Sequence, residues 1–292
     1  SKLTKGQRYD QWMRVRTGGA RILIGARSGI YAPFDDLGAI IIDEEHEASY
    51  KSDMTPKYDT IDAAVERGRI SDAVVVLGTA TPSVVSEYRA GKGIYKQLFL
   101  RKRYNKTPLP DVSIADMRDE LKKGNRSIFS RELFTRIKSC LAAGSQVILF
   151  INRRGYSTFV SCRSCGYVMK CTHCDVSYKY HATSGKLVCH YCGETVARPE
   201  VCPVCGSKYI RYFGTGTQKV EEEVKKYFPT ARVLRMDMDT VSGKNGYSNI
   251  LNKFADGEAD ILVGTQMIAK GHDFKNVTLV GILAADMSLN TG

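Results

Sequence analysis

Apolar residues in this chain come in short, nearly unbroken runs, separated by longer stretches in which polar residues dominate. Ala20-Arg21-Ile22-Leu23-Ile24, Ala39-Ile40-Ile41-Ile42 and Ala73-Val74-Val75-Val76-Leu77 each read as a strand. They are largely apolar rather than alternating, which predicts a parallel sheet buried on both faces. Residues 60–70, between the last two runs, read as a helix, so the first hundred residues are α/β in class. A second series follows. It predicts a helix near residues 131–143, a strand at Gln146-Val147-Ile148-Leu149-Phe150, and a helix near 217–227. A strand over residues 232–236, a helix near 247–255 and strands at 261–263 and 278–283 complete a second α/β unit.

The pattern breaks inside that second unit. Four Cys-x-x-Cys pairs, Cys162/Cys165, Cys171/Cys174, Cys189/Cys192 and Cys202/Cys205, occupy 44 residues and use eight of the nine cysteines. A two-residue spacer lets one tight turn aim two thiolates at an ion, so two pairs complete a tetrahedral zinc site. The block therefore predicts two structural four-cysteine sites, with a disulfide framework as the alternative. Between Cys174 and Cys189 lie two short alternating runs around Ser184-Gly185, the signature of a hairpin. A hairpin brings its ends together. This favours a nested arrangement, with Cys171, Cys174, Cys189 and Cys192 on one ion and Cys162, Cys165, Cys202 and Cys205 on the other. Sequential pairing is the alternative. His173 and His190 lie within the pairs as substitute ligands or exposed side chains, and Cys140 reads as a packing residue.

These breaks divide the chain into residues 1–100, a linker at 101–130 rich in charge and containing Pro108 and Pro110, and residues 131–160 opening the second unit. The metal-binding insertion covers residues 161–208, and residues 209–292 return to the second unit. No apolar run approaches the length of a membrane span, and Ser-Lys-Leu-Thr-Lys-Gly-Gln-Arg at the start is neither a signal nor a transit peptide. Reduced thiolates without a secretion signal predict a cytoplasmic protein and no membrane partner. The formal charge is +12, and two four-thiolate zinc centres bring it to about +8. Residues 101–138 alone hold 11 Lys or Arg against 5 Asp or Glu. Such a balance favours a polyanionic partner.

Chemistry-bearing residues gather where the predicted strands end. Asp43-Glu44-Glu45-His46 follows directly on an isoleucine run, at the end of a parallel strand where ligands bind in such sheets. Phosphoryl transfer to water needs a carboxylate to hold Mg²⁺ and another to orient the attacking water, and Asp43 and Glu44 suit those roles. Leu77-Gly78-Thr79-Ala80-Thr81-Pro82 lies at the next strand end, where its hydroxyls can link the carboxylates to a substrate. Arg27-Ser28, Asn152-Arg153-Arg154-Gly155 and the segment from Gly264 through Thr265 and Lys270 to Phe274 occupy equivalent loops. Small hydroxyl, amide and basic residues in such loops are what nucleic-acid backbone recognition uses.

Taken in order, these motifs resemble those of the superfamily 2 DNA helicases. With eight cysteines inserted between the fourth and fifth, the chain resembles the replication-restart branch, the PriA family. The resemblance implies two RecA-like helicase lobes carrying a zinc-ribbon-like insertion in the second. It implies an ATP-dependent 3′-to-5′ DNA helicase that recognises stalled or abandoned replication forks and initiates primosome assembly. Asp43 and Glu44 then take the Mg²⁺ and water-activating roles, His46 couples them to DNA, and Gly271 with Asp273 contacts ATP from the second lobe. Arg27, Ser28, Thr81, Arg153, Thr265 and Lys270 fall on strand-tracking positions. Tyr50 and Tyr58 fall in an aromatic-rich loop, residues 49–58, that reports DNA engagement. Implied partners are forked and single-stranded DNA, primosome and replicative-helicase-loading proteins, and single-stranded DNA-binding protein. A non-catalytic fork-binding and helicase-loading platform is the alternative.

The sequence departs from the family pattern in places. It contains no Gly-x-x-x-x-Gly-Lys-Ser/Thr loop and no Gln-x-x-Gly-Arg-x-Gly-Arg motif. It therefore resembles a central fragment in which both lobes are truncated, with negligible ATP turnover of its own. Ala26 stands where the resemblance implies Thr, and Ile61 where it implies a basic residue.

Overall fold

The computed structural model describes residues 3–103, 108–151, 159–181, 184–212, 216–237, 240–241, 246–265, 268 and 272–286. The chain is α/β and falls into two compact units, Ser1–Leu109 and Pro110–Gly292. Among the described residues no helix is long and apolar enough to cross a membrane.

The first unit opens with α1 (Lys5–Arg16), started by a capping box in which Thr4 and Gln7 bond each other's main chain. Its centre is β1 (Ala39–Asp43), α2 (Thr60–Ser71) and β2 (Val74–Gly78), followed by α3 (Val84–Gly91). The strands are parallel, Ala39 opposite Val74 and Asp43 opposite Gly78, so they end side by side. Asp59 caps α2 by accepting from the Ile61 amide. The helix then lays Ile61 and Ala64 onto Ile30 and Ile42. Ile61, where the resemblance implied a basic residue, is thus part of the core.

The strand expected at residues 20–24 does not form. Ile22 and Ile24 are 82% and 96% exposed, and among the described residues β1 and β2 pair only with each other. An apolar run becomes a strand only where a neighbour completes its hydrogen-bond ladder.

The second unit begins with α4 (Met117–Lys122) and α5 (Arg131–Ala142), then β3 (Gln146–Ile151). The segment expected to be a linker over residues 101–130 is therefore divided. From Pro110 onward it belongs to the second unit, and it contains a helix. Next come five short strands of the cysteine-rich insertion: β4 (Val160–Cys162), β5 (Lys179–His181), β6 (Lys186–Val188), β7 (Thr195–Ala197) and β8 (Ile210–Tyr212). The α/β pattern resumes with α6 (Thr217–Tyr227), β9 (Val233–Met236), α7 (Gly246–Ala255), β10 (Ile261–Gly264) and β11 (Val277–Leu283). β11, β3, β10 and β9 form one parallel sheet in that order.

Each central strand feeds two cores by alternation. Val147, Leu149 and Ile151 of β3 pack with Ile137 of α5 and Val220 and Val224 of α6. Ile148 between them faces Leu251 and Phe254 of α7. Ile261 and Val263 of β10 join the first core and Leu262 the second. Burying each such side chain contributes about 1.5–3 kcal/mol, so an unbroken apolar run suits a strand covered on both faces. Cys140 packs at the edge of the first core and accepts a 3.4 Å hydrogen bond from the Thr278 hydroxyl.

Candidate functional site

The cysteine-rich insertion is built from four identical turns. After each Cys-x-x-Cys pair the next amide donates back to the first cysteine's carbonyl: Gly166 to Cys162, Asp175 to Cys171, Gly193 to Cys189 and Gly206 to Cys202, at 2.8–2.9 Å. All four donors have left-handed backbones, with φ of 80°, 53°, 78° and 68°. Glycine takes that conformation without penalty, and Asp is among the few other residues that visit it. The turn leaves both thiols pointing to one side.

Antiparallel pairing of β5 with β6 then folds the second pair onto the third, and β4 with β8 folds the first onto the fourth. The thiols gather as Cys171, Cys174, Cys189 and Cys192 and as Cys162, Cys165, Cys202 and Cys205. The sulfurs of Cys162 and Cys205 are 3.6 Å apart, Cys165 and Cys202 3.7 Å, and Cys171 and Cys192 3.6 Å. Zinc bound at about 2.3 Å by four thiolates sets its tetrahedral corners roughly 3.8 Å apart. Both sets fit a structural zinc ion, in the nested arrangement rather than the sequential one.

The surroundings tune these thiols. The main-chain N–H of Cys192 draws the Cys189 thiol down to about 7 against the opposing effect of burial. A hydrogen bond with the Cys192 thiol pushes Cys174 up to about 12. Zinc favours the thiolate, so binding releases the protons that such groups hold. Around the Cys171 set Glu194 accepts from the Tyr178 hydroxyl at 2.6 Å and from the Cys171 thiol at 3.1 Å. His173 is exposed at the margin, 3.6 Å from Glu194. His190 pairs with His181 across 2.9 Å between ring nitrogens, tying β5 to the third turn. Arg163, inside the first turn, donates to the carbonyls of Asn125, Arg126 and Ser127 and so anchors the insertion on the segment before α5.

The other cluster of chemistry lies at the end of β1. The Asp43 carboxylate accepts from the Glu44 amide at 2.9 Å, and Asp43 is exposed. His46 Nδ1 lies 2.7 Å from Thr79 Oγ1, 3.4 Å from Thr81 Oγ1 and 3.5 Å from Glu44 Oε2. The Glu44 carboxylate after β1 and the hydroxyls after β2 therefore share one imidazole. This follows from the register, which sets Asp43 beside Gly78. Arg27 donates to the carbonyls of Ser49 and Lys51 at 2.9 and 2.8 Å. The Tyr50 hydroxyl reaches the Asp43 carbonyl. Tyr58 stands edge-on to Tyr31, with ring centres 5.3 Å apart.

In the second unit Thr265 follows directly on β10, and its carbonyl accepts from the Ile268 amide at 3.0 Å. Asp273 borders a groove with Ile148, Phe150, Ile268 and Phe274. The end of β9 holds a residue that sequence reasoning passed over. Asp237 is buried, accepts from the Thr217 hydroxyl, and takes a 2.9 Å bond from the Thr240 amide. Burial pushes its carboxyl up, but these donors and Arg235 outweigh it and hold it below the usual range. Its only signal in the sequence is an acidic residue closing a predicted strand.

Residues 171–196 match the PriA DNA helicase Cys-rich region (CRR) domain, and residues 206–291 match the Helicase conserved C-terminal domain. The Replication restart protein PriA of Bacillus subtilis (strain 168) is 52% identical over 290 residues, 99% of this chain and 36% of that protein. The protein of the same name from Synechocystis sp. is 48% identical over 299 residues, again 99% of this chain and 36% of the relative. That of Haemophilus influenzae is 40% identical over 290 residues, 99% of this chain and 39% of the relative. Over 99% of its length this chain is similar to PriA proteins. It spans little more than a third of the length of these relatives.

Of the residues the resemblance singled out, Glu44, His46 and Thr81 come together in the first unit, with Asp43 bonded to the Glu44 amide, while Ser28 is exposed in a 3₁₀ turn nearby in sequence. Arg27 and Tyr50 spend polar groups on main-chain carbonyls of their own unit. Thr265 and Asp273 lie in the second unit at and beyond the end of β10. Arg153, Lys270 and Gly271 lie outside the described residues.

Proposed function

We propose that the full-length protein is an ATP-dependent DNA helicase, moving 3′-to-5′, that recognises stalled replication forks and initiates primosome assembly for replication restart. The observation that carries the reading is His46, within hydrogen-bonding or ion-pairing reach of Glu44 on one side and of Thr79 and Thr81 on the other. In this reading Asp43 and Glu44 face the nucleotide, and Asp43 offers an exposed carboxylate for Mg²⁺. The ion, when bound, neutralises charge developing on the phosphates. Glu44 orients the water that attacks the terminal phosphate. His46 senses the threonine loop, whose Thr81 contacts the DNA backbone with Ser28 and, from the second unit, Thr265. Arg153 and Lys270 belong to the same strand-tracking set, and Gly271 with Asp273 to the nucleotide side. Tyr58, half-buried beside Tyr31, offers its ring to a base, whereas Tyr50 and Arg27 shape the loop from behind.

The two zinc sites serve this function by holding the insertion as one rigid piece for fork DNA or for primosome, helicase-loading and single-stranded DNA-binding proteins. A cytoplasmic location fits reduced thiolates.

The test is forked-DNA-stimulated ATPase of the full-length protein beside its Glu44→Gln form. Strong stimulation lost on that one change supports a motor with Glu44 as the water-orienting group. Tight fork binding without stimulated turnover overturns it in favour of a loading platform.

A further inference from the structure

Three residues of the acidic quartet have roles in the reading above; Glu45 has none, yet it is the most deeply buried of the four. The backbone explains the burial. Glu44 sits in the left-handed region at φ 51°, which a residue with a side chain rarely adopts. The reversal there sends consecutive carboxylates opposite ways. The Glu44 side chain is 43% exposed, while Glu45 is 5% exposed.

Inside, both oxygens of Glu45 are used. Oε1 accepts from the Ser83 amide at 2.6 Å, and Oε2 accepts from the Ser86 hydroxyl at 3.0 Å. Ser83 is the N-cap of α3, so the carboxylate sits at the helix end that carries unpaired amides and partial positive charge. The Glu45 amide meanwhile donates to the Gly78 carbonyl at 3.1 Å. One residue therefore holds both ends of the segment from Gly78 to Ser83. Within that segment lie Thr79 and Thr81, the two hydroxyl partners of His46.

We propose that Glu45 is a positioning residue: it brackets the threonine loop to the strand end, so that a nucleic-acid backbone held by the loop sets the orientation of Glu44. This rests on the reading of Asp43 and Glu44 as the hydrolytic pair. Displacing the loop cannot leave the turn at Glu44 unchanged, because Glu45 bonds the loop's two ends and follows that turn directly in the chain. A displacement of about 1 Å at a reacting group costs on the order of 100-fold in rate, so a short bracket is enough to couple the two.

The experiment uses the full-length protein and its Glu45→Ala, Glu45→Gln, Ser86→Ala and Glu44→Gln forms, with ATP turnover measured without DNA and at saturating single-stranded DNA. Glu45→Ala is expected to lower the DNA-stimulated kcat by about tenfold or more, with KM for ATP and the DNA-free rate within about twofold. Glu45→Gln retains an acceptor for the Ser83 amide and can donate to the Ser86 hydroxyl, so it keeps most of the stimulation. Ser86→Ala removes the hydroxyl that donates to Glu45 and accepts from Ser83, leaves the Ser83 amide on Glu45, and falls between the two; it carries the test if the Glu45→Ala form misfolds. An unchanged ratio of stimulated to unstimulated rate in Glu45→Ala and Ser86→Ala, with only a lowered Tm, overturns the proposal and leaves Glu45 a stabilising cap. If Glu44→Gln abolishes turnover while that ratio survives in Glu45→Ala, the proposal alone fails. If Glu44→Gln leaves turnover intact, the hydrolytic reading fails and the proposal with it.

Discussion

The hydroxyl of Tyr50 donates a 2.7 Å hydrogen bond to the main-chain carbonyl of Asp43. An aromatic residue from the loop after β1 thereby holds the last residue of that strand. Its neighbours reinforce the arrangement, since Thr60 at the start of α2 donates to the Tyr50 carbonyl at 2.6 Å. Tyr50→Phe should keep the ring and lose this one bond, at a cost of about 0.5–1.5 kcal/mol. Denaturant unfolding of the full-length protein followed in the first unit measures it; an unchanged midpoint would mean the hydroxyl contributes nothing.

Metal content separates the two thiol sets. The protein should carry two zinc ions, one in each four-cysteine cluster. Cys171→Ser should bring the count to one, because a tetrahedral site missing a thiolate binds far more weakly. Stripping both ions should melt β5, β6 and β7, with the β11-β3-β10-β9 sheet remaining, since metal binding supplies the folding free energy of so small a core. Elemental analysis with hydrogen exchange distinguishes this from loss of the whole unit.

The four turns also predict opposite effects from opposite substitutions. Gly193 has φ of 78° and open space where a Cβ would sit. Gly193→Ala should therefore cost only the conformational penalty, about 1–2 kcal/mol. Asp175→Gly, at φ of 53°, should be neutral or mildly stabilising. Thermal unfolding of the zinc-loaded protein measures both.

Acid should loosen the junction of α4 with α5. The side-chain amide of Asn125, then the Arg131 amide, hold the Glu120 carboxyl down at about 2. A depressed folded-state value stabilises the fold above the ordinary carboxylate value near 4.3. That contribution should vanish as pH falls from about 4.5 through about 2. Glu120→Gln should flatten the acid limb of a stability-against-pH curve over that window. An identical limb in both forms would assign the acid sensitivity elsewhere.

Particular elements show why some of the molecule was legible before folding was considered. β3 and β10 are continuous apolar runs, and each is buried on both faces, so composition and environment agree. Spacing announced two four-thiol sites and favoured the nested sets over sequential ones, because a hairpin brings its ends together. The run at residues 20–24 is equally apolar, but pairing belongs to two segments and not to one. α1 escaped notice because it buries only Val15 and has no apolar stripe, its one signal being the Thr4 and Gln7 capping box. α4 was hidden in a stretch that charge made look like a linker.

The sequence by itself determined which residue types stand together: three carboxylates and a histidine after an apolar run, two threonines after the next, and eight thiols in four Cys-x-x-Cys pairs. Those identities are local, written in residue type and spacing. Tertiary structure alone decided which of them meet. Strand register brought His46 to Thr79 and Thr81, a left-handed turn at Glu44 sent one glutamate outward and the next into the core, and hairpin closure chose the nested thiol sets. Contacts between residues far apart in the chain depend on packing and hydrogen-bond satisfaction over the whole unit, which no single segment encodes.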